Sequence, residues 1–206
     1  MIALPFLIAF GVLGALSRGF EGLGISGEYA LLILFAMALG SFLNIPLGRR
    51  RIMEVKEPGF FGLLRKPRYE LQGISLNAGG AVIPVVVSLY LLPGIPASSV
   101  FTAVAIMIVV CAVCSQTLPG RGVGIRAGIS CLFAAGTALA LGGDHAPAVA
   151  FISGTFGVII GSDLLRLPFL LRRGSGILSI GGAGLFDGIF LVGMGASFLA
   201  GLFSPS

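Results

Sequence analysis

Residues 177–203 read ILSIGGAGLFDGIFLVGMGASFLAGLF, and this run decides the fold class. It contains one charged side chain, Asp187. A helix needs about 20 apolar residues to cross the hydrocarbon core of a bilayer, so the stretch is long enough to span it. Its apolar residues are continuous rather than alternating, which argues against a membrane-barrel strand. The rest of the chain has the same character. Of 206 residues, 56% are hydrophobic and 10% are charged, with 33 glycines and no tryptophan; the mean hydropathy is +1.07. A soluble domain carries about 25% charged residues. The 8 acids and 13 bases of this chain could not cover a water-facing surface. Soluble enzyme, disordered chain and coiled coil are therefore excluded. The expected class is all-α: one polytopic transmembrane domain over residues 1–206, with about seven helices.

Working outward, the spans fall at about Ile2 to Leu16, Tyr29 to Leu47, Leu76 to Leu92, Val100 to Cys114, Ala127 to Leu141, Ala146 to Leu165 or further, and Ile177 to Phe203. The first lacks a basic n-region and a small-residue cleavage site, so it reads as a retained helix. Basic residues set the orientation. Arg49, Arg50, Arg51, Lys56, Arg65, Lys66 and Arg68 follow the second span. Arg121 and Arg126 follow the fourth, and Arg166, Arg172 and Arg173 the sixth. These alternate loops lie on one side, leaving only Arg18 on the other. The amino terminus is expected to be cytoplasmic, in a multi-pass protein of the cytoplasmic (inner) membrane. The net charge of +5 is thus a topology signal and not a nucleic-acid footprint. Membrane lipid is the expected surrounding partner, and no nucleic acid is expected. The basic loop at 48–70 contains Pro58, Gly59, Phe60 and Phe61 and reads as an amphipathic stretch on the inner surface.

Glycine at this frequency in apolar helices signals close packing. Gly157-x-x-x-Gly161 and Gly184-x-x-x-Gly188 make the sixth and seventh spans expected neighbours. Gly79-Gly80-Ala81 and Gly181-Gly182-Ala183 form two similar clusters near polar residues. They read either as a parallel repeat of period about 100 residues, as in some transporters, or as coincidence in a glycine-rich chain. Cys111 and Cys114 have helical i, i+3 spacing among Val110, Ala112 and Val113. Apolar neighbours do not stabilise thiolate, so the pair reads as small buried residues at a helix contact. No metal site is expected: Asp144-His145 lacks a third ligand and reads as a cap before the sixth span.

Two acids stand where water is scarce. An ionisable group at the bilayer centre costs roughly 2.5–3.5 kcal/mol on insertion scales. Asp187 is ten residues into the seventh apolar run, about 15 Å deep in a helix. Asp163, in Gly161-Ser162-Asp163-Leu164-Leu165, has two readings. If the sixth span stops at Leu165, Asp163 is about 3 Å from the inner edge. If the span continues through Leu171, Asp163 is about 13 Å deep and level with Asp187. Arg166 then snorkels or pairs with an acid, and Pro168 bends the helix. Two adjacent carboxyl groups cannot easily both ionise, so the pair shares a proton. One can then activate water while the other protonates a carbonyl oxygen. Such a pair needs no cofactor. Gly182, Gly184 and Gly188 would let a substrate backbone approach, and Asn77 is a polar residue able to line the site or to bridge helices.

Three motifs in order carry a family resemblance: Asn77-Ala78-Gly79-Gly80-Ala81-Val82-Ile83-Pro84, Gly161-Ser162-Asp163-Leu164-Leu165, and Gly181-Gly182-Ala183-Gly184-Leu185-Phe186-Asp187-Gly188-Ile189-Phe190. Together they resemble a prokaryotic multi-pass membrane family known as domain of unknown function sixteen-fourteen, from about the second span to the carboxyl end. That resemblance implies no activity. A looser one is to the presenilin and signal-peptide-peptidase group of intramembrane aspartyl proteases. It implies catalytic aspartates on helices six and seven, here Asp163 and Asp187, and transmembrane peptide substrates. The strict Gly-x-Gly-Asp motif is absent, because Leu185 and Phe186 separate Gly184 from Asp187. Ser162 stands where that group has tyrosine, and its ninth-helix Pro-Ala-Leu motif has no counterpart here. The alternatives are a small transporter or ion/proton-pathway protein using Asp187, Asn77 and broken helices, and a catalytically silent relative of the protease fold.

Overall fold

The computed structural model describes residues 14, 20–56, 67–118, 122–172, 177–182 and 187–203. The described chain is mostly helical. Helix α1 is Gly27–Gly40. Strands β1, Asn44–Lys56, and β2, Pro67–Asn77, follow; a π-helical stretch, Ala78–Val82, then leads into α2, Ile83–Leu91. Helix α3 is Ala97–Cys114, followed by strands β3, Ser115–Leu118, and β4, Gly122–Ile125, and by α4, Ala127–Leu141. A 3₁₀ turn, Gly143–His145, opens α5, Ala146–Gly157; a second π-helical stretch, Val158–Leu164, joins α5 to α6, Leu165–Arg172. Strand β5, Ile177–Ile180, and helix α7, Gly188–Phe203, complete it.

Among the described residues, two helical runs are long and apolar enough to cross a membrane: Ala97–Cys114 and the continuous run Gly143–Arg172. The expected fourth and fifth spans coincide with α3 and α4. The sixth takes its longer version, reaching Arg172 with Pro168 inside α6. Proline lacks the N–H that would bond the carbonyl four residues back. That carbonyl belongs to Leu164, where the widened π-helical turns end. The first expected span, Ile2 to Leu16, lies outside the described residues except for Gly14.

Three expected boundaries are corrected. The second span ends as helix at Gly40, and the chain is extended from Asn44. The third begins as strand, since β2 runs to Asn77 before any helical turn. The seventh is not one helix: Ile177–Ile180 is a strand, and helix starts only at Gly188. Gly181 and Gly182 explain the break, with φ of +84° and +50°. Those values lie outside the right-handed helical region, and glycine adopts them without steric cost. The loop at 48–70 is also corrected. Its flanks are the strands of an antiparallel hairpin, with Asn44 opposite Asn77 and Lys56 opposite Pro67. An open hairpin satisfies backbone groups that an interfacial helix would otherwise have to satisfy internally. Pro58, Gly59, Phe60 and Phe61 lie outside the described residues.

Strand β5 joins the hairpin through parallel pairing with β2, giving the order β1-β2-β5. Ser75 faces Ser179 and Leu76 faces Ile180. This register offsets the two Gly-Gly pairs by two residues along the paired strands. The two glycine clusters meet: a Cβ on Gly80 would lie 2.1 Å from the carbonyl oxygen of Gly181.

Helix α5 is the central element, packed against α2, α3, α4 and α7. Phe151, Ile152 and Val149 from α5 are buried with Met107 from α3 and Ile189, Phe190 and Met194 from α7. A helix that is apolar all round belongs in a core or a membrane. Helix α3 shows the second situation, with Phe101, Val109 and Val113 largely exposed on its outer face. The expected contact between the sixth and seventh spans is present, but other glycines make it. A Cβ on Gly154 would approach Gly193 Cα to 3.0 Å. Gly157 and Gly161 face α3 instead, where added Cβ atoms would meet Met107 Cβ at 2.6 Å and the Ile108 carbonyl oxygen at 2.3 Å.

Candidate aspartate site

Asp163 lies in the π-helical stretch Val158–Leu164. Such a stretch offsets side chains from the regular helical register and is frequent at functional sites. Gly161 seats the stretch directly on α3. Oδ2 of Asp163 accepts a hydrogen bond from the backbone N–H of Gly181 at 3.2 Å. The neighbouring Ser162 side chain, itself buried, also bonds the carboxylate.

Asp187 has a different role from the mid-helix position expected for it. It precedes Gly188, the first residue of α7, and its carbonyl accepts the first helical bond, from Leu191 N–H at 2.9 Å. Its carboxylate accepts from the backbone N–H groups of Gly188 and Ile189. This is N-cap geometry, which satisfies otherwise orphaned donors and places negative charge at the positive helix end. The same carboxylate lies against Gly182, where a Cβ would stand 2.1 Å from Oδ1 of Asp187.

The two acids therefore converge on one glycine pair. Asp163 holds Gly181, and Asp187 covers Gly182. The Asp187 carboxylate is close enough to act electrostatically on Asp163. No side chain could replace hydrogen at Gly182 without displacing a carboxylate. Gly188 is less open than expected for a substrate contact, because Cγ2 of Ile125 would lie 2.5 Å from its Cβ. Gly184 lies outside the described residues.

Asn77 sits at the adjoining junction and is fully buried. Its Oδ1 accepts from Gly80 N–H at 2.7 Å. Its Nδ2 donates to the Ser41 carbonyl at 2.7 Å and to Asn44 Oδ1 at 3.2 Å. Asn44 Oδ1 also accepts from Ser179 Oγ at 2.8 Å. Asn77 thus ties together the end of α1, β1 and the start of the π-helical stretch, one step removed from the carboxylates. Sequence reasoning missed Asn44 and Ser179, which knot the three strands at this point. It also placed Arg166 beside an acid or at the lipid interface; its guanidinium instead bonds the end of α3. Asp187 before an apolar run, after a glycine pair, is an N-cap signal that could have marked the helix start. Asp144 lies in the 3₁₀ turn, and the N-cap of α5 is His145. All three cysteines are free, and Cys111 is buried beneath Gly161.

Residues 38–199 match the family described as "Protein of unknown function (DUF1614)". The chain belongs to this family. The match covers both aspartates, the Asn77 junction and the glycine pair. No curated protein and no solved structure matches the chain. The looser resemblance to the presenilin group has no support from these comparisons.

Proposed function

We infer that this DUF1614 protein is an intramembrane aspartyl hydrolase that cleaves peptide bonds of membrane-embedded substrates with Asp163 and Asp187. One observation carries the reading: two carboxylates from separate elements meet on Gly181-Gly182, which carry no side chains to shield them. In this reading one carboxylate takes a proton from water as the other gives one to the carbonyl oxygen of the scissile bond. The low dielectric around them strengthens each electrostatic contact. The protein is read as multi-pass in the cytoplasmic membrane, with about seven spans, the amino terminus inside and lipid around it. The functional test is cleavage of a transmembrane peptide by the reconstituted protein. Asp163→Asn and Asp187→Asn are each expected to abolish it while the protein still folds.

The helix interruptions favour a second reading, a pathway for protons or cations. The π-helical stretch Val158–Leu164, which carries Asp163, and the junction at Gly181 place backbone polar groups next to acids, as in transporters built on broken helices. Proton or cation flux into vesicles that is lost in Asp187→Asn, without peptide cleavage, would support it over the hydrolase.

A further inference from the structure

Arg166 lies three residues beyond Asp163, yet its hydrogen bonds go to the end of α3. Nε donates to Ser115 Oγ at 2.5 Å. Nη2 donates to the carbonyl oxygens of Ala112 at 2.9 Å and Ser115 at 2.7 Å. Carbonyls at a helix C-terminus lack intrahelical partners and carry partial negative charge. A planar guanidinium reaching several acceptors fixes geometry better than a lysine ammonium. Arg166 thus clamps the segment that carries Asp163 onto α3.

Ser115 also opens β3 and pairs with Ile125 at the end of β4. Ile125 rests on Gly188, the residue after Asp187. Strand β4 also contacts the Val158–Leu164 stretch. One short hairpin therefore touches both acid-bearing segments, at Arg166 on one side and at Gly188 on the other.

We propose that the β3–β4 hairpin is a positioning brace that sets the separation of Asp163 and Asp187, with Arg166 and Ile125 at its two attachment points. Its consequence for catalysis rests on the hydrolase reading, but its geometry does not. Neither attachment residue touches reacting atoms; each acts through the segment it holds. Removing Arg166 frees the π-helical stretch to rotate on α3, which lengthens the bond from Gly181 to Asp163. Adding a methyl group at Gly188 displaces Ile125 and tilts the start of α7, which loosens the amide bonds to Asp187. Trimming Ile125 at the same time makes room for that methyl group.

Hydrogen exchange on the full-length protein in nanodiscs tests this without requiring activity. Arg166→Gln is expected to speed exchange of the Gly181 amide about tenfold or more, leaving the core amides of α5 unchanged. Gly188→Ala is expected to do the same at the Ile189 amide, and Gly188→Ala with Ile125→Ala to restore protection there. In peptide cleavage, each single variant should lower kcat about tenfold with KM changed less than about twofold, and the double variant should recover. Unchanged Gly181 protection in a folded Arg166→Gln protein overturns the brace. So does failure of Ile125→Ala to rescue Gly188→Ala, which decides the matter if Arg166→Gln does not fold. A wild-type protein that cleaves no membrane peptide sinks the hydrolase reading alone, and the exchange results still decide the brace.

Discussion

The backbone N–H of Gly181 donates to Oδ2 of Asp163 at 3.2 Å, across 18 residues of sequence. This bond joins the strand-to-helix junction after β5 to the widened turn after α5. It also sets Asp163 beside Gly182, which Asp187 covers. The arrangement depends on close backbone approach, and several consequences can be measured.

Asn77 is the most heavily bonded polar side chain of the junction. Asn77→Ala would leave the Gly80 N–H and the Ser41 carbonyl without their partner. A buried group left unsatisfied costs about 1–3 kcal/mol. We expect a lower thermal midpoint in detergent, with unfolding still cooperative. An unchanged midpoint would show that water replaces the lost bonds and that the junction is not structural.

The glycines divide into two classes with opposite outcomes. A Cβ on Gly79 would lie 2.0 Å from the Met37 carbonyl oxygen, and one on Gly161 would lie 2.3 Å from that of Ile108. Both neighbours are backbone and cannot yield easily. Gly79→Ala and Gly161→Ala should each destabilise by about 1–3 kcal/mol or more, the usual cost of overpacking. Gly136, inside α4, has nothing within 4 Å of its Cβ position. Gly136→Ala should be neutral or stabilise by about 0.5–1 kcal/mol. Thermal unfolding of the three variants side by side checks the ranking, and a destabilised Gly136→Ala would contradict it.

The helices α3 and α4 were legible in the sequence almost to the residue, because length and uninterrupted apolar character suffice for them. Asp163 and Asp187 were legible as candidates because charge is scarce. The strands were not. Leu76 and Ile180 belong to apolar runs that look the same in a buried strand and in a helix. Only the pairing of Ser75 with Ser179, a contact across 104 residues, settles which they form. The mid-helix setting of Asp187 was misread for the same reason: Gly181 and Gly182 break the helix through positive φ, which composition does not reveal. Arg166 was misassigned because acceptors at a helix end are backbone atoms without a sequence signature.

Orientation can be tested directly. With the native cysteines replaced by serine, a cysteine at Lys56 should react with a membrane-impermeant maleimide only from the cytoplasmic side. One at Asp144 should react only from the outside. The positions lie on opposite sides of the expected topology. Labelling of both from the same side would overturn the seven-span arrangement.

The most direct test of the acid pair is cleavage of a transmembrane peptide by the purified protein in liposomes, followed by mass spectrometry. The wild type is predicted to give a defined cut within the membrane segment, and Asp163→Asn and Asp187→Asn to give none while keeping a cooperative thermal transition. Cleavage that persists in either folded variant would contradict the account.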